Sequence, residues 1–217
     1  MSAPLLVTGF EPFMELGSNP SAQLAERLDG ARIGEHPVVG RTLPVQLAGL
    51  RDRLAALLDE VEPAAVIATG LHPGAYEVRL ERIAVNLADF DIDDNAGARA
   101  ADEPLEDDGP VARETRLPVR EIQTALLDRG IPARLSYTAG TYLCNATMYV
   151  LLGLTDVPAG FIHVPYTSAQ VAELIRAGSD AADRRPEIAS LPLDTLEQAL
   201  RVALEATATK VATPARA

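Results

Sequence analysis

The side chain best suited to nucleophilic chemistry is Cys144, the one cysteine in the chain. It follows Thr-Ala-Gly-Thr at 138–141, where Thr141 is a candidate N-cap for a helix whose first turn would contain the cysteine. The positive end of such a helix favours the thiolate over the thiol. The alternative is a structural role, because free cysteine is often buried as a small apolar side chain.

A cysteine nucleophile needs a base, and the chain offers three histidines: His36, His72 and His163. His163 lies in the apolar run Gly-Phe-Ile-His-Val at 160–164, and α/β sheets place their site residues at the carboxyl ends of such strands. His72 follows another apolar run and competes for the same role, whereas His36 stands in a predicted turn. Each could instead be a hydrogen-bonded histidine without a catalytic role.

Glu81 is the candidate for the third group, which orients the imidazole in sites of this kind. It interrupts the strand-like stretch Leu-Glu-Arg-Ile-Ala-Val at 80–85, so it either faces solvent or is buried for a purpose. Solvent exposure is the ordinary state of a glutamate. Arg79 and Arg82 are alternative partners for its carboxylate.

Two aromatic residues, Phe10 and Phe13, flank Glu-Pro directly after the first apolar run. Two flat rings in a strand-to-helix loop could clamp a small planar ligand. Alternatively, they pack beneath the loop as part of the core, which is the commoner use of phenylalanine.

Known cofactor motifs are missing from the sequence. Asp91, Asp93 and Asn95 imitate part of a calcium loop, but Ala96 stands where the glycine is required. There is also no P-loop, no dinucleotide-binding glycine motif and no zinc-ligand spacing. These patterns predict neither a bound metal nor a nucleotide.

Strand and helix patterns alternate around these residues. Apolar runs predict buried strands at 4–8, 64–69 and 160–164, and the stretches 38–45 and 78–87 also look extended. Amphipathic spacing and end signals predict helices at 21–28, 47–58, 119–127, 144–152, 169–175 and 193–204. The alternation predicts an α/β protein. The acid-rich segment 89–110 predicts a long exposed loop, and the tail from Ala206 is expected to fray.

The composition places the chain among globular proteins and excludes several binding functions. Its 217 residues are 47% hydrophobic and 23% charged, with 19 basic against 31 acidic residues and a formal net charge of −12. This charge argues against binding nucleic acid or an anionic membrane. The chain has no apolar run long enough for a membrane span, no basic region typical of a signal peptide and no second cysteine for a disulfide. A cytoplasmic protein is therefore expected.

Five sequence blocks make the chain resemble the pyroglutamyl peptidase I (pyrrolidone-carboxylate peptidase) family of cysteine exopeptidases, from Leu5 to about Leu204. The blocks are Val-Thr-Gly-Phe-Glu-Pro-Phe at 7–13 with Asn19-Pro20, Gly-Leu-His-Pro-Gly at 70–74 leading to Glu-Arg-Ile-Ala-Val-Asn at 81–86, Asp94-Asn95 with Gly97, Ser-Tyr-Thr-Ala-Gly-Thr-Tyr-Leu-Cys-Asn at 136–145, and Gly-Phe-Ile-His-Val-Pro-Tyr at 160–166. Five blocks in the family's order are far more specific than any one of them.

The resemblance implies a catalytic triad of Cys144, His163 and Glu81. It also implies a substrate pocket that uses the rings of Phe10 and Phe13, Asn19, and backbone groups near Leu71, Tyr142 and Leu143. The implied fold is a single three-layer α/β/α sandwich with a mixed, mainly parallel sheet, here as one peptidase domain at 1–208 with a frayed tail at 209–217. Family members commonly form homotetramers, and no metal or organic cofactor is expected.

The implied activity is hydrolysis of the amide bond after an N-terminal pyroglutamyl residue, through a thioester acyl-enzyme. Many family members carry arginine at the position of Asp91, and we expect this carboxylate to point away from Cys144 on a mobile loop. Two other functions remain open. The chain could hydrolyse another small cyclic amide, or it could bind a small ligand without turnover.

Overall fold

The computed structural model describes residues 2–14, 16–178 and 188–212 of the chain. Its strands are β1 (Leu5–Phe10), β2 (Arg32–Ile33), β3 (His36–Leu43), β4 (Ala65–Leu71), β5 (Val78–Glu81), β6 (Ile83–Val85), β7 (Ala112–Glu114), β8 (Ala133–Ser136), β9 (Ala159–Val164), β10 (Tyr166–Thr167) and β11 (Ser190–Leu191). Its helices are α1 (Pro20–Leu28), α2 (Leu50–Val61), α3 (Val119–Leu127), α4 (Leu143–Leu154), α5 (Ser168–Arg176) and α6 (Leu193–Ala212).

The central element of the described chain is a seven-stranded sheet in the order β2-β3-β1-β4-β9-β5-β8. The strands β3, β1, β4 and β9 run parallel to one another. The strand β5 runs antiparallel to β9 and parallel to β8, and β2 runs antiparallel to β3. The sheet is therefore mixed and mainly parallel, as predicted.

Side chains of the central strands alternate between two cores. Leu5 and Val7 of β1 belong to a core shared with α1, α3 and α6, whereas Leu6 belongs to a second core shared with α2 and α4. Because successive side chains of a strand point to opposite faces, the two cores lie on opposite faces of the sheet. This arrangement is the predicted three-layer α/β/α sandwich.

Several element boundaries differ from the prediction because tertiary pairing decided them. The helix predicted from 47 begins at Leu50, after Gly49 with a φ of 71°. The extended stretch 78–87 is two strands that separate at Arg82, since β5 joins the large sheet while β6 pairs with β7. The strand β8 was not predicted, because the exposed Arg134 interrupts any apolar run there.

The acid-rich segment 89–110 is not the fully exposed loop that was predicted. Phe90, Asp94 and Ala100 within it are buried, and the Phe90 N–H donates to the Ala100 carbonyl at 2.9 Å. The segment therefore folds back on itself and packs against the protein.

The C-terminal helix α6 continues to Ala212, beyond the predicted helix end at 204. The fraying expected from Ala206 is therefore wrong for residues 206–212. The predicted tail at 209–217 thus begins inside this helix, and 213–217 lie outside the described residues. None of the helices in the described part of the chain is long and apolar enough to cross a membrane.

Candidate active site

The ends of two parallel strands and the start of a helix meet at one edge of the sheet. Gly70 of β4 pairs with His163 of β9, so both strands finish side by side. Helix α4 begins at Leu143 and places Cys144 in its first turn. The N–H groups of a first helical turn have no partner within the helix, so they are available to an oxyanion bound next to Cys144.

The N-cap predicted at Thr141 is wrong. The capping position belongs to Tyr142, whose side chain makes no capping hydrogen bond. The Thr141 hydroxyl instead donates to the backbone carbonyl of Asp89 at 2.6 Å. The threonine therefore ties the start of α4 to the acid-rich segment and leaves the first helical turn without a side-chain cap.

The structure brings Glu81 and His163 into direct contact beside Cys144. The His163 Nδ1–H donates to Glu81 Oε1 across 2.9 Å, and the Glu81 side chain is fully buried. This contact exists because β5 runs antiparallel beside β9, which places Glu81 opposite Phe161 and therefore on the strand next to His163. With Nδ1 used by Glu81, Nε2 is the nitrogen available to the thiol.

The surroundings of His163 favour its charged form. Burial by itself lowers the pKa of His163, but the negative charge of Cys144, a hydrogen bond to it and the Glu81 carboxylate outweigh burial and raise the pKa to about 9. The site is therefore built for an imidazolium between two anionic groups. An imidazolium next to a thiolate is the form in which cysteine hydrolases hold their nucleophile and acid ready.

The other two histidines are excluded as the base by their contacts. Both ring nitrogens of His72 have partners in the protein, the Pro73 carbonyl and the Arg79 guanidinium. His36 contacts the Ala3 carbonyl at 2.7 Å and does not belong to the wall of the cavity that contains Cys144. His163 is thus the histidine that the structure places at the nucleophile.

A cavity of about 510 Å³ opens above Cys144 and His163, and all six predicted pocket residues belong to its wall. Phe10 is 4% exposed and belongs both to a core cluster and to the cavity wall, whereas Phe13 is half-buried. The remaining predicted residues in the wall are Asn19, Leu71, Tyr142 and Leu143.

Asn19 has a clear structural role at this wall. Its Oδ1 caps α1 by accepting from the Ser21 N–H at 3.0 Å, and its Nδ2 donates to the Glu11 carbonyl at 3.0 Å. These bonds hold the loop that carries Phe13. A contact between the Asn19 side chain and the substrate remains a prediction.

The sequence analysis missed Val45 and Ile92, which complete the apolar wall. Val45 stands just beyond the end of β3, at the same edge of the sheet as the site. Its position after a predicted strand could therefore have indicated a place in the wall. Its N–H donates to Glu11 Oε1 at 3.0 Å, and Asn95 Nδ2 donates to the same oxygen at 2.8 Å. The loop with the two phenylalanines is thereby fastened to the acid-rich segment.

Asp94 holds the conformation of that segment. Its buried carboxylate accepts hydrogen bonds from the N–H groups of Leu47, Ala96 and Ala98. Burial alone would raise its pKa, but these three donors outweigh burial and lower the pKa below its ordinary value. A charged aspartate thus organises the segment together with the buried apolar side chains of Phe90 and Ala100.

Asp91 is exposed and belongs to the wall of the same cavity as Cys144, and the expectation that its carboxylate points away from Cys144 stays a prediction. Asp89 also lines the cavity, and no Lys or Arg does so in the described part of the chain. Among those residues there is also no cluster of His, Cys, Asp or Glu that could hold a metal ion.

Comparison with known proteins gives one consistent family. A family model described as pyroglutamyl peptidase matches residues 3–210. The pyrrolidone-carboxylate peptidase of Pyrococcus furiosus is 40% identical over 206 residues, which cover 93% of this chain and 98% of that protein. The enzyme of the same name from Thermococcus litoralis is 46% identical over 172 residues, covering 77% and 78%.

The similarity extends to the three-dimensional structure. A solved structure of pyrrolidone carboxyl peptidase from Thermococcus litoralis superposes with a TM-score of 0.89. The two chains are 39% identical, and the match covers 97% of this chain and 96% of that one. At this coverage, the likeness of fold extends over nearly the whole length of both chains.

Proposed function

The chain belongs to the pyroglutamyl peptidase family, and on that premise we propose that it hydrolyses the amide bond after an N-terminal pyroglutamyl residue as a cysteine peptidase. The observation that carries this proposal is the contact between His163 and Glu81 beside Cys144, at the floor of a largely apolar cavity. The substrates are therefore peptides that begin with pyroglutamate.

The acylation step uses the charged pair at the cavity floor. The Cys144 thiolate attacks the carbonyl carbon of the pyroglutamyl residue, and the N–H groups at the start of α4 bind the oxyanion. As the carbon–nitrogen bond breaks, the His163 imidazolium donates its Nε2 proton to the leaving amine. Removal of one oxyanion donor costs about 3–4 kcal/mol in other hydrolases, so the free first turn of α4 has a large share of the catalysis.

The deacylation step reverses the proton transfer. The now neutral His163 takes a proton from water, and the hydroxide attacks the thioester carbon. Free pyroglutamate leaves, and the thiolate and imidazolium are restored. Glu81 orients the ring through both steps and stabilises its charged form, without taking the proton itself.

Substrate recognition rests on shape rather than on an ion pair. The pyroglutamyl ring is a neutral lactam without a free amine, and the wall around Phe10, Phe13 and Ile92 is apolar. Flat rings of this kind favour a small planar ligand through contact area. A substrate with a charged N-terminal proline would have to lose the hydration of its ammonium group in this cavity.

The experiment that tests the proposal is the release of a fluorophore from a pyroglutamyl amide, compared with the matching prolyl amide. We expect cleavage of the pyroglutamyl amide alone. Cleavage of another cyclic amide in preference would favour the second activity considered above. Binding of pyroglutamate without turnover of any amide would favour a ligand-binding protein and overturn the proposal.

We also propose that the protein is a homotetramer in the cytoplasm. The family resemblance supports the tetramer, and a single cysteine supports a reducing compartment, where a reactive thiol remains free. Light scattering of the purified protein tests the first statement, and cell fractionation tests the second. A monomer in light scattering, or activity confined to an extracellular fraction, would contradict them.

A further inference from the structure

His72 is a histidine for which the mechanism above has no use, yet it lies against the proposed base. The centroids of the His72 and His163 rings are 5.3 Å apart and their planes are nearly perpendicular, at 89°. The backbone N–H of His72 donates to the Val164 carbonyl at 2.8 Å, which extends the pairing of β4 with β9 by one residue. The backbone thus places the two rings in perpendicular contact.

Two hydrogen bonds define the protonation state of His72. The Pro73 carbonyl can only accept, so Nδ1, at 3.1 Å, carries the proton. The Arg79 guanidinium can only donate, so Nε2, at 2.9 Å from Nη1, is the unprotonated acceptor. Both nitrogens are therefore used, and the ring is neutral.

The groups that face His72 act together to keep it neutral. Burial, the charge of His163 and the charge of Arg79 lower the pKa of His72, and they outweigh the Pro73 carbonyl and the more distant Glu81. Cys144 lines the same cavity and forms its charged pair with His163. A protonated His72 would turn an N–H toward the guanidinium. It would also add its positive charge to those of Arg79 and His163.

The Arg79 side chain is held in place by Glu77. Arg79 stands directly opposite His163 in the antiparallel pair β5–β9, so the two side chains leave the sheet on the same face. Its Nε donates to Glu77 Oε1 at 3.2 Å, and Arg134 Nε contacts the same buried oxygen at 3.1 Å. This arrangement directs Nη1 of Arg79 to His72 instead of to His163.

We propose that His72 is a positioning residue for His163: its neutral ring braces the His163 ring edge-on and accepts the Arg79 guanidinium, so that this positive charge is not turned toward the base. The proposal rests on the proposed function, in which His163 is the base. It assigns His72 and Arg79 to one unit whose effect is to preserve the charged Cys144–His163 pair.

The test compares two substitutions of His72. In His72→Gln, the side-chain oxygen is able to accept from Arg79 and the amide nitrogen to donate to Pro73, whereas His72→Leu fills similar space with no acceptor. We expect His72→Leu to lower kcat/KM tenfold or more at neutral pH and to move the alkaline limb of the pH profile to lower pH by about one unit. We expect His72→Gln to stay within threefold of the wild type, with an unmoved limb.

A second measurement reports on His163 directly. The chain has three histidines, so an NMR titration of the histidine side chains follows the imidazolium of His163 without any substrate. His72→Leu should show the same downward shift of the His163 midpoint, and adding Arg79→Gln should move the midpoint back toward the wild-type position. The double substitution thus separates the charge of Arg79 from lost packing.

If His72→Leu does not fold, His72→Asn replaces it, because asparagine is too short to reach Arg79 but keeps the bond to Pro73. Unmoved pH limbs in the variants without an acceptor, or a shift that Arg79→Gln does not reverse, would overturn the proposal. The titration of His163 needs no substrate, so failure of this proposal is distinguishable from failure of the proposed function, which fails if the wild-type enzyme does not cleave the pyroglutamyl amide.

Discussion

A β-carbon on Gly70 would lie 2.8 Å from the Sγ of Cys144. The same carbon would lie 2.9 Å from the ring of Phe161, so an added methyl group would press on both side chains. Distances below 3.0 Å are shorter than real contacts allow, so the glycine on β4 is the reason that the nucleophile can rest against the sheet beside His163.

We therefore expect Gly70→Ala to impair catalysis more than folding. The added methyl group should lower the free energy of unfolding by about 1–3 kcal/mol, as overpacking does. Displacement of the thiol by a fraction of an ångström to 1 Å should lower kcat/KM by roughly 100-fold. The matched control is Gly17→Ala, because no atom lies within 4 Å of the added carbon there. Equal activity of the two variants would show that Gly70 has no such role.

Substitution of the three proposed catalytic residues should give graded losses. Cys144→Ser and alkylation of Cys144 should each abolish turnover, since no second thiol can replace it. His163→Ala should cost about 100-fold to 10,000-fold in kcat, the usual range for a general acid–base. Glu81→Gln should be milder, because the nucleophile and the base remain. Full activity after alkylation would exclude a cysteine mechanism.

The raised pKa of His163 predicts the alkaline behaviour of both activity and stability. Loss of the imidazolium should place the alkaline limb of kcat/KM near pH 9. The folded value, about 9, lies above the ordinary 6.5, so the stabilisation from this proton is complete below pH 6.5 and is lost as the pH rises through about 9.

Activity profiles and thermal melts at pH 7 and pH 10 check this prediction. The difference in Tm between the two pH values should become smaller in His163→Ala. A wild-type kcat/KM that already falls near pH 7 would contradict this prediction.

The two phenylalanines should affect substrate affinity more than chemistry. A ring held equally in the ground state and the transition state contributes uniform binding, which appears in KM. Phe13→Ala is the cleaner variant because Phe13 is half-buried, whereas Phe10 is 4% exposed within the core and is better replaced by leucine. Steady-state kinetics should show a raised KM with a smaller fall in kcat. Unchanged KM in both variants would assign these rings to the core alone.

Asp91 should have only a small effect on neutral substrates despite its place in the cavity wall. Its side chain is exposed, and salt at physiological strength screens exposed charges over about 8 Å. We expect Asp91→Ala to change kcat/KM for a neutral pyroglutamyl amide by less than about threefold. The exposed Asp107, which does not line the cavity, is the control position. A tenfold loss, equal to about 1.4 kcal/mol, would give the carboxylate a positive role in the transition state.

Sequence reasoning predicted much of the fold because local patterns carry that information. The strands β1, β4 and β9 are apolar runs bounded by turn residues, and α3 ends where Gly130 follows it. These features depend on neighbours in the chain, so periodicity and end signals suffice. The identity of Cys144 and His163 as candidates likewise follows from residue type and local position, one at a predicted helix start and the other near the end of an apolar run.

Tertiary structure alone decided which partner each candidate meets. The antiparallel placement of β5 beside β9 buries Glu81 against His163 and sets Arg79 opposite it. No local pattern separates this arrangement from a solvent-exposed glutamate, which is the ordinary case, or from an Arg79–Glu81 pair. Sheet order is a property of strands far apart in sequence, and it depends on how both helical layers cover the sheet.

The same reason explains the errors in the predicted loop and cap. Thr141 has the residue type of an N-cap, but its hydroxyl finds the Asp89 carbonyl, 52 residues away, at 2.6 Å. Asp94 looks like one acid among many, yet three backbone N–H groups converge on its buried carboxylate. Residue types and their local spacing establish which groups are present and which elements carry them. The contacts that settle the state of each polar group form between distant segments, and only the folded chain brings those segments together.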